Sequence, residues 1–286
     1  MIFYIFSIYI KPKMSKFKKN ELKKSNFEYI GGIKAKNKKK IRRPLISIIT
    51  VVKNDEKKIL KTINSVFNQT FKNYEYIVID GLSSDKTMDI LKKNQKKIHY
   101  LASGKDKNLW DAMNKGILLS SGKIIGIINS GDIFYKNTLK IVKNYFNESN
   151  LDYLFGPVKK DRVLFRFEPE KIFYRFNIYP SHSTGFFITK NSQKKIGLYN
   201  VDFNFGSDYD FFYKLIKNKK LKGKIAKKKE VFGKFNLKGL TSNIPFYISY
   251  YYEMKIRLKN GQNIFYLFFL YWIKFFNKIY RLIKNI

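Results

Sequence analysis

The residues best suited to chemistry in this chain are carboxylates that close apolar runs. Asp80 ends "YEYIVID", and the run in "IIGIINSGDIF" stops at Asn129-Ser130-Gly131-Asp132. Asp208 and Asp210 lie in "GSDYDF", at the head of a helical apolar pattern. Asp111, Asn114 and Lys115 fall in "LWDAMNKGILLSSG", where positions 111 and 115 are four apart and share a helix face. An ionised carboxylate can accept a charge-assisted hydrogen bond or take a proton from a reacting hydroxyl. Each also has a plain structural use: a turn former before Gly81, an i,i+4 ion pair at Asp111 and Lys115, an N-cap at Asp208. Their meaning depends on whether the fold gathers them.

The elements around them share one pattern. "LISIITVV" (45–52) is an apolar, β-branched run, as in a strand buried on both faces. A helix comes next, with Asn54 as N-cap and Ile59, Leu60, Ile63, Val66 and Phe67 repeating at helical spacing. "YEYIVID" and "IHYLAS" read as strands around "SSDKTMDILKK", a helix capped by Ser83 or Ser84 with Asp85 in its first turn. A third helix ends at Gly122, and "KIIGIIN" is a fourth strand. This alternation implies right-handed crossovers and a mostly parallel sheet. Ligands gather at the carboxyl ends of such strands. Residues 50–53, 80–84, 103–106 and 129–132 would then share one edge. Beyond Phe146 the pattern loosens into short antiparallel strands and a helix in "SDYDFFYKLIKN", and from Pro245 it is helical and aromatic-rich.

Composition removes several function classes. The chain has 286 residues, 44% hydrophobic, enough for a real core. With no cysteine there is no thiolate metal site or Cys nucleophile, and two histidines make a multi-histidine site implausible. Neither G-x-G-x-x-G after the first strand nor G-x-x-x-x-G-K-[ST] occurs, against dinucleotide dehydrogenases and P-loop NTPases. The net charge of +37 suits an anionic partner and motivates a nucleic-acid-binding alternative. Its many aromatics, however, fall in apolar runs rather than alternating with basic residues. A nucleotidyltransferase would want a glycine-rich basic loop, and "VVKNDEKK" has no glycine. The first apolar stretch, "MIFYIFSIYI", is too short to span a bilayer, and Met14 is an alternative start. "NIFYLFFLYWIKFFNKIYRLIKNI" reads as an amphipathic helix in a membrane interface, or else one packed on the domain.

"PLISIITVVKNDEKKILKTINSVFNQTFKNYEYIVIDGLSSDKTMDIL" and "DAMNKGILLSSGKIIGIINSGD" resemble family 2 glycosyltransferases with the GT-A fold, in particular bacterial enzymes that build exopolysaccharide, capsule or lipopolysaccharide. The likeness runs from Pro44 to about Phe146 and more thinly through "YPSHSTGFFI" and "FGSDYDFFYKL" to about residue 240. The resemblance implies an α/β, Rossmann-like GT-A domain over 44–240, with a nucleotide-sugar half at 44–146 and an acceptor half at 147–240. A basic arm at 1–43 precedes it, and a C-terminal amphipathic helical region at 241–286 comes after it.

The implied activity is a hexosyltransferase-type, inverting transfer from a nucleotide-sugar donor to a glycan or lipid-linked acceptor, with no nucleic acid as partner. Asp80 would receive the nucleobase, and the backbone at Thr50 and Val52 would touch the nucleotide. Lys115 would face the donor phosphates or sugar, with Asp111 beside it. The turn at 129–132 aligns with the family's acidic triplet, making Asp132 the ligand of Mg²⁺ or Mn²⁺ and Asn129 a donor contact. Asn129 and Gly131 stand where acids are usual, which weakens the metal expectation. Asp208 would be the general base, with Ser207 in the place of the family's first acid, and His182 and Asp210 would lie on the acceptor side. The expected location is cytoplasmic, peripheral at the inner face of the cell membrane through the C-terminal helix.

Overall fold

All seven residues of β2 (Ile46–Val52) are buried, as are six of the seven in β3 (Tyr74–Asp80). The computed structural model describes residues 27–33, 44–165, 168–174, 183–236 and 245–284. It pairs β2 in parallel with β3 and with β5 (Ile124–Ile127), and β3 in parallel with β4 (Tyr100–Ser103). Helices α1 (Ile59–Phe67), α2 (Thr87–Asn94) and α3 (Leu109–Leu119) connect these strands. Side chains alternate along β2: Ile49 and Val51 enter one core, Ile46, Ile48 and Val52 the other. Helix α3 lies against β2 so closely that a Cβ at Gly116 would sit 2.3 Å from Ile49 Cγ2. At the opposite, amino end of the sheet, the Glu75 carboxylate accepts from the Ser47 hydroxyl (2.6 Å) and from the Ser121 and Gly122 N–H groups (2.5 and 3.1 Å), fixing the turn into β5.

Two local expectations change. Helix α1 begins at Ile59 after Lys58, so Asn54 does not cap it. Helix α2 begins at Thr87, whose N–H donates to Asp85 Oδ1 at 3.0 Å, so Asp85 precedes the first turn. The stretch read as an arm contains strand β1 (Tyr29–Gly31), antiparallel to β4 at the sheet margin.

The second half uses shorter pieces. They are β6 (Ile133–Phe134), α4 (Thr138–Glu148), β7 (Tyr153–Phe155), β8 (Val158–Lys159), β9 (Val163–Leu164), β10 (Phe186–Thr189), α5 (Lys190–Ile196), α6 (Ser207–Lys217), β11 (Gly223–Ile225) and β12 (Gly233–Lys234). The large sheet runs β1-β4-β3-β2-β5-β10-β7-β11, and a four-stranded sheet runs β6-β12-β8-β9. Tilted and edge-to-face aromatics fill the core here, with Phe155, Phe186 and Phe212 in mutual contact at 4.9–5.4 Å between ring centres.

Two helices close the described chain. Helix α7 (Phe246–Lys259) packs on α6 and places Ile256 in the core. Helix α8 (Ile264–Lys284) buries Leu267 but leaves Phe265, Phe268, Phe269, Trp272 and Tyr280 more than half exposed. Among the described residues no helix is long and apolar enough to cross a membrane.

Candidate active site

Parallel register carries the strand ends to one edge. Val52 pairs with Asp80, Asp80 with Ser103, and the Ser130 N–H donates to Val51 O at 3.3 Å. The loops leaving this edge brace each other. Ser83 Oγ accepts from the Asn54 N–H at 2.9 Å, and Asn54 Oδ1 accepts from the Ser84 N–H at 2.8 Å. Asn54 (φ 50°) and Leu82 (φ 60°) hold left-handed backbone at the facing positions. Non-glycine residues rarely adopt that conformation, and when they do it concentrates at functional sites.

Asp80 reaches the edge but is fully buried there. Its carboxylate accepts from Ser83 N–H (3.0 Å), Ser83 Oγ (2.5 Å) and Ser103 Oγ (2.6 Å). Asp80 thereby shapes the 81–84 loop, at the strand end where the nucleobase contact is expected. Thr50 is fully buried two residues short of the strand end, and its hydroxyl accepts from the Tyr76 hydroxyl at 3.0 Å; the contact expected of it is through its backbone. The Val52 carbonyl lies at the strand end and accepts from Gly81 N–H at 2.8 Å.

Helix α3 brings its polar residues to the same edge. Asn108 caps it, accepting from the Trp110 and Asp111 N–H groups. Lys115 Nζ lies 2.5 Å from Asp106, 3.4 Å from Asp111 and 2.9 Å from the Lys105 carbonyl, with the Phe27 ring 5.7 Å away. So the i,i+4 pair with Asp111 exists, but the shorter contact is with Asp106, a residue whose strand-end position is legible in the sequence and whose role is not. Burial pushes the Asp106 carboxyl up; Lys115 partly offsets this, and the charges of Asp111 and Asp80 add to it. Lys53 and Lys105 stand exposed along the edge.

The turn of residues 129–132 faces the second half. Asn129 Nδ2 donates to Ser183 Oγ at 3.0 Å, while Asn129 Oδ1 is buried and makes no hydrogen bond among the described residues. The Ser130 hydroxyl donates to Asp55 at 2.7 Å. Asp132 is 3% exposed, and each carboxylate oxygen is engaged, one by Thr184 Oγ1 at 2.7 Å and the other by the Asn236 N–H at 2.9 Å. Its carbonyl accepts from Thr62 Oγ1 at 2.8 Å. Asp132, the acid on which the metal expectation rests, is thus held by the protein itself. Asp132 clamps three segments together, and among the described residues no three His, Cys, Asp or Glu side chains converge on one point. A hard divalent ion can take one or two carboxylates, with donor phosphates and waters completing its shell, and Asp132 is the acid this turn would offer.

On the acceptor side, α6 starts at Ser207 after Gly206. Asp208 is half-buried and its Oδ1 accepts from the Tyr209 N–H at 2.9 Å. Its charge also reaches Tyr199, whose hydroxyl is pushed up chiefly by burial and further by Asp208. The Tyr199 backbone is in turn bonded both ways by the Asn114 amide on α3, at 2.8 and 2.9 Å. Asp208 therefore stands one packing step from the helix that carries Lys115. Asp210 is 1% exposed, ion-paired with Lys214, and accepts from Asn260 at 2.8 Å. It faces the C-terminal end of α7. His182 lies outside the described residues.

The glycosyl transferase family 2 model matches residues 47–223. An uncharacterized glycosyltransferase of Rickettsia bellii is 33% identical over 125 residues, which cover 43% of this chain and 18% of that protein. An Escherichia coli UDP-Glc:alpha-D-GlcNAc-diphosphoundecaprenol beta-1,3-glucosyltransferase is 30% identical over 135 residues, 46% of this chain and 53% of the relative's length. Among solved structures, S. aureus TarS 1-349 in complex with UDP-GlcNAc aligns with a TM-score of 0.61 at 18% identity, over 75% of this chain and 66% of that one. A mannosyltransferase from Pyrobaculum calidifontis, in complex with GDP-Man and Mn²⁺, aligns with a TM-score of 0.53 at 12% identity, over 78% of this chain and 64% of that one. The chain thus spans less than two thirds of the length of these relatives, about half in the E. coli case.

Proposed function

This chain belongs to glycosyl transferase family 2, and from that premise we propose that it moves a hexosyl group from a nucleoside-diphosphate donor to a hydroxyl of a glycan or lipid-linked acceptor in surface polysaccharide synthesis, with inversion. The observation that carries this reading is the single edge where the ends of β2, β3 and β4, the Lys115 cluster and the 129–132 turn meet. Two likenesses support the donor and acceptor class: the E. coli relative uses UDP-Glc and a diphosphoundecaprenol-linked sugar, and TarS holds UDP-GlcNAc.

In this mechanism Asp208 accepts the proton of the acceptor hydroxyl as that oxygen bonds to the anomeric carbon. The bond from that carbon to the diphosphate oxygen breaks on the opposite face, which inverts the centre. The departing diphosphate carries negative charge into an edge lined by Lys53, Lys105 and Lys115, and cations aimed at developing charge lower the barrier. Asn129 and Asp111 lie within the same edge as contacts for the donor. Were Mg²⁺ or Mn²⁺ to bind with the donor, Asp132 would be its protein ligand and the ion would neutralise charge on the diphosphate.

The exposed aromatic face of α8, on a chain of net charge +37, suits the surface of an anionic membrane, which would hold the enzyme peripherally at the cytoplasmic face. Two measurements test the reading. UDP release from UDP-Glc or UDP-GlcNAc should fall at least a hundredfold in Asp208→Asn while UDP still binds; normal turnover would remove the base role. The full chain should co-sediment with vesicles containing phosphatidylglycerol, and a chain ending at residue 262 should stay in the supernatant; equal partition of both would remove the anchor.

A further inference from the structure

Helix α6 presents two faces. Asp210, Lys214 and Lys217 are spaced i, i+4, i+7 and share one of them. Position 208 is two residues from 210, about 200° around the helix, and so lies on the other. The first face is gripped from the C-terminal helix pair at Asn260, the C-cap of α7. The Asn260 amide donates to Asp210 Oδ1 at 2.8 Å and to the Ile256 carbonyl at 2.9 Å, while its own carbonyl accepts from Lys217 Nζ at 2.5 Å.

One turn earlier on α7, Arg257 is fully buried and lies 5.6 Å from the ring centre of Tyr209. Arg257 is held by Glu253 through Nε (2.9 Å) and Nη2 (2.7 Å), and it also donates to the Phe173 carbonyl. The Tyr209 hydroxyl donates to the Ile172 carbonyl at 2.7 Å, so ring and hydroxyl are both fixed. Ile256 sits beneath Gly206, the left-handed residue (φ 76°) from which α6 starts; a Cβ there would meet Ile256 Cδ1 at 3.0 Å. Gly206, Tyr209 and Asp210, which contact α7 or its C-cap, are thus all within two positions of Asp208.

We propose that Asn260 and Arg257 are positioning residues for the general base: they hold Asp210 and Tyr209, and through them set the rotation and height of the first turn of α6 on which Asp208 rides. This rests on Asp208 being the base. A base must lie within hydrogen-bond reach of the proton it takes, so a small rotation of this turn lowers turnover without touching the donor edge, which is built from β2, β3, β4 and α3. Lys274 of α8 also bonds Glu253, at 2.7 Å. The same buried carboxylate thus ties the exposed aromatic helix to the base helix.

The test uses the full chain and UDP-GlcNAc hydrolysis, read as UDP release, with UDP affinity measured by calorimetry. Asn260→Ala is expected to lower kcat about tenfold, with UDP affinity within twofold of the parent. Arg257→Lys, which keeps the charge beside Glu253, is expected to lose less. Tyr145→Phe removes a hydrogen bond to Glu230 far from α6 and serves as a control for small losses of stability; its kcat should be unchanged. Unchanged kcat in Asn260→Ala, or parallel loss of kcat and UDP affinity, overturns the proposal. So does an equal loss of kcat in Tyr145→Phe. Asp208→Asn is run alongside. If it stays active, the base reading fails; if it is inactive while Asn260→Ala is normal, only the positioning role fails.

Discussion

The two halves of the large sheet hold their functional residues by different means. In β4-β3-β2-β5 the strands are parallel, up to seven residues long and buried on both faces. A residue's place there is set by backbone ladders and by its count along the strand. In β10-β7-β11 the strands have three or four residues, and the segments leaving them are placed by single side chains. Asn114 holds Tyr199, Asn260 holds Asp210, and Asp132 holds Thr184 and Asn236. The first half should tolerate loss of any one polar contact. The second should not.

The sharpest way to break that contrast is at the seam. Asp132→Ala would leave the Thr184 hydroxyl and the Asn236 N–H buried without their acceptor. Each orphaned polar group costs about 1–3 kcal/mol, so for the two a loss of about 2–6 kcal/mol in chemical denaturation is expected. If Asp132 instead served mainly as a metal ligand, the substitution would leave apo-protein stability nearly unchanged, and EDTA would lower the melting temperature of the parent. A clamp made of Thr184, Asn236 and Asp132 alone predicts no effect of EDTA on that temperature.

A smaller effect tests the backbone-built half. In Gly116→Ala the added methyl would lie 2.3 Å from Ile49 Cγ2, in a core with no slack. Overpacking of this kind costs about 1–3 kcal/mol. Because α3 also carries Lys115, UDP affinity should fall along with the melting temperature. A stable Gly116→Ala protein with normal affinity would show that α3 does not need its close seat on β2.

The same contrast explains what the sequence made legible. "LISIITVV", "YEYIVID" and "KIIGIIN" announce buried parallel strands, and counting to their ends puts Asp80 and the 129–132 turn at one edge. Counting does not say what a carboxylate touches once it arrives. Asp80 is spent on Ser83 and Ser103, three and twenty-three positions away, and Asp132 on Thr184 and Asn236, fifty-two and one hundred and four away. The separation of Asp208 from Asp210 was legible from helix geometry, but the partner of Asp210 fifty positions downstream was not. Strand β1 escaped notice because its three residues lie among lysines and end at Gly31-Gly32; what makes it a strand is the free margin of β4.

The finest probe of the first half is the charge balance around Lys115. Asp106 and Asp111 place two carboxylates beside one ammonium, the charge of Asp80 acts on Asp106 as well, and burial raises the Asp106 carboxyl above its ordinary value. A carboxyl raised in the folded state binds its proton more tightly there than in the unfolded chain. Its contribution to stability is therefore full below the unfolded value and is lost as pH rises through the folded one. Asp106→Asn removes that titration. The parent should lose stability relative to Asp106→Asn as pH climbs from the acid side through the carboxylate range, with a slope of less than one proton in denaturation midpoints measured at successive pH values. The opposite slope would mean that Lys115 outweighs burial. The ion pair, rather than desolvation, would then govern this corner, and the first half too would depend on a single side-chain contact.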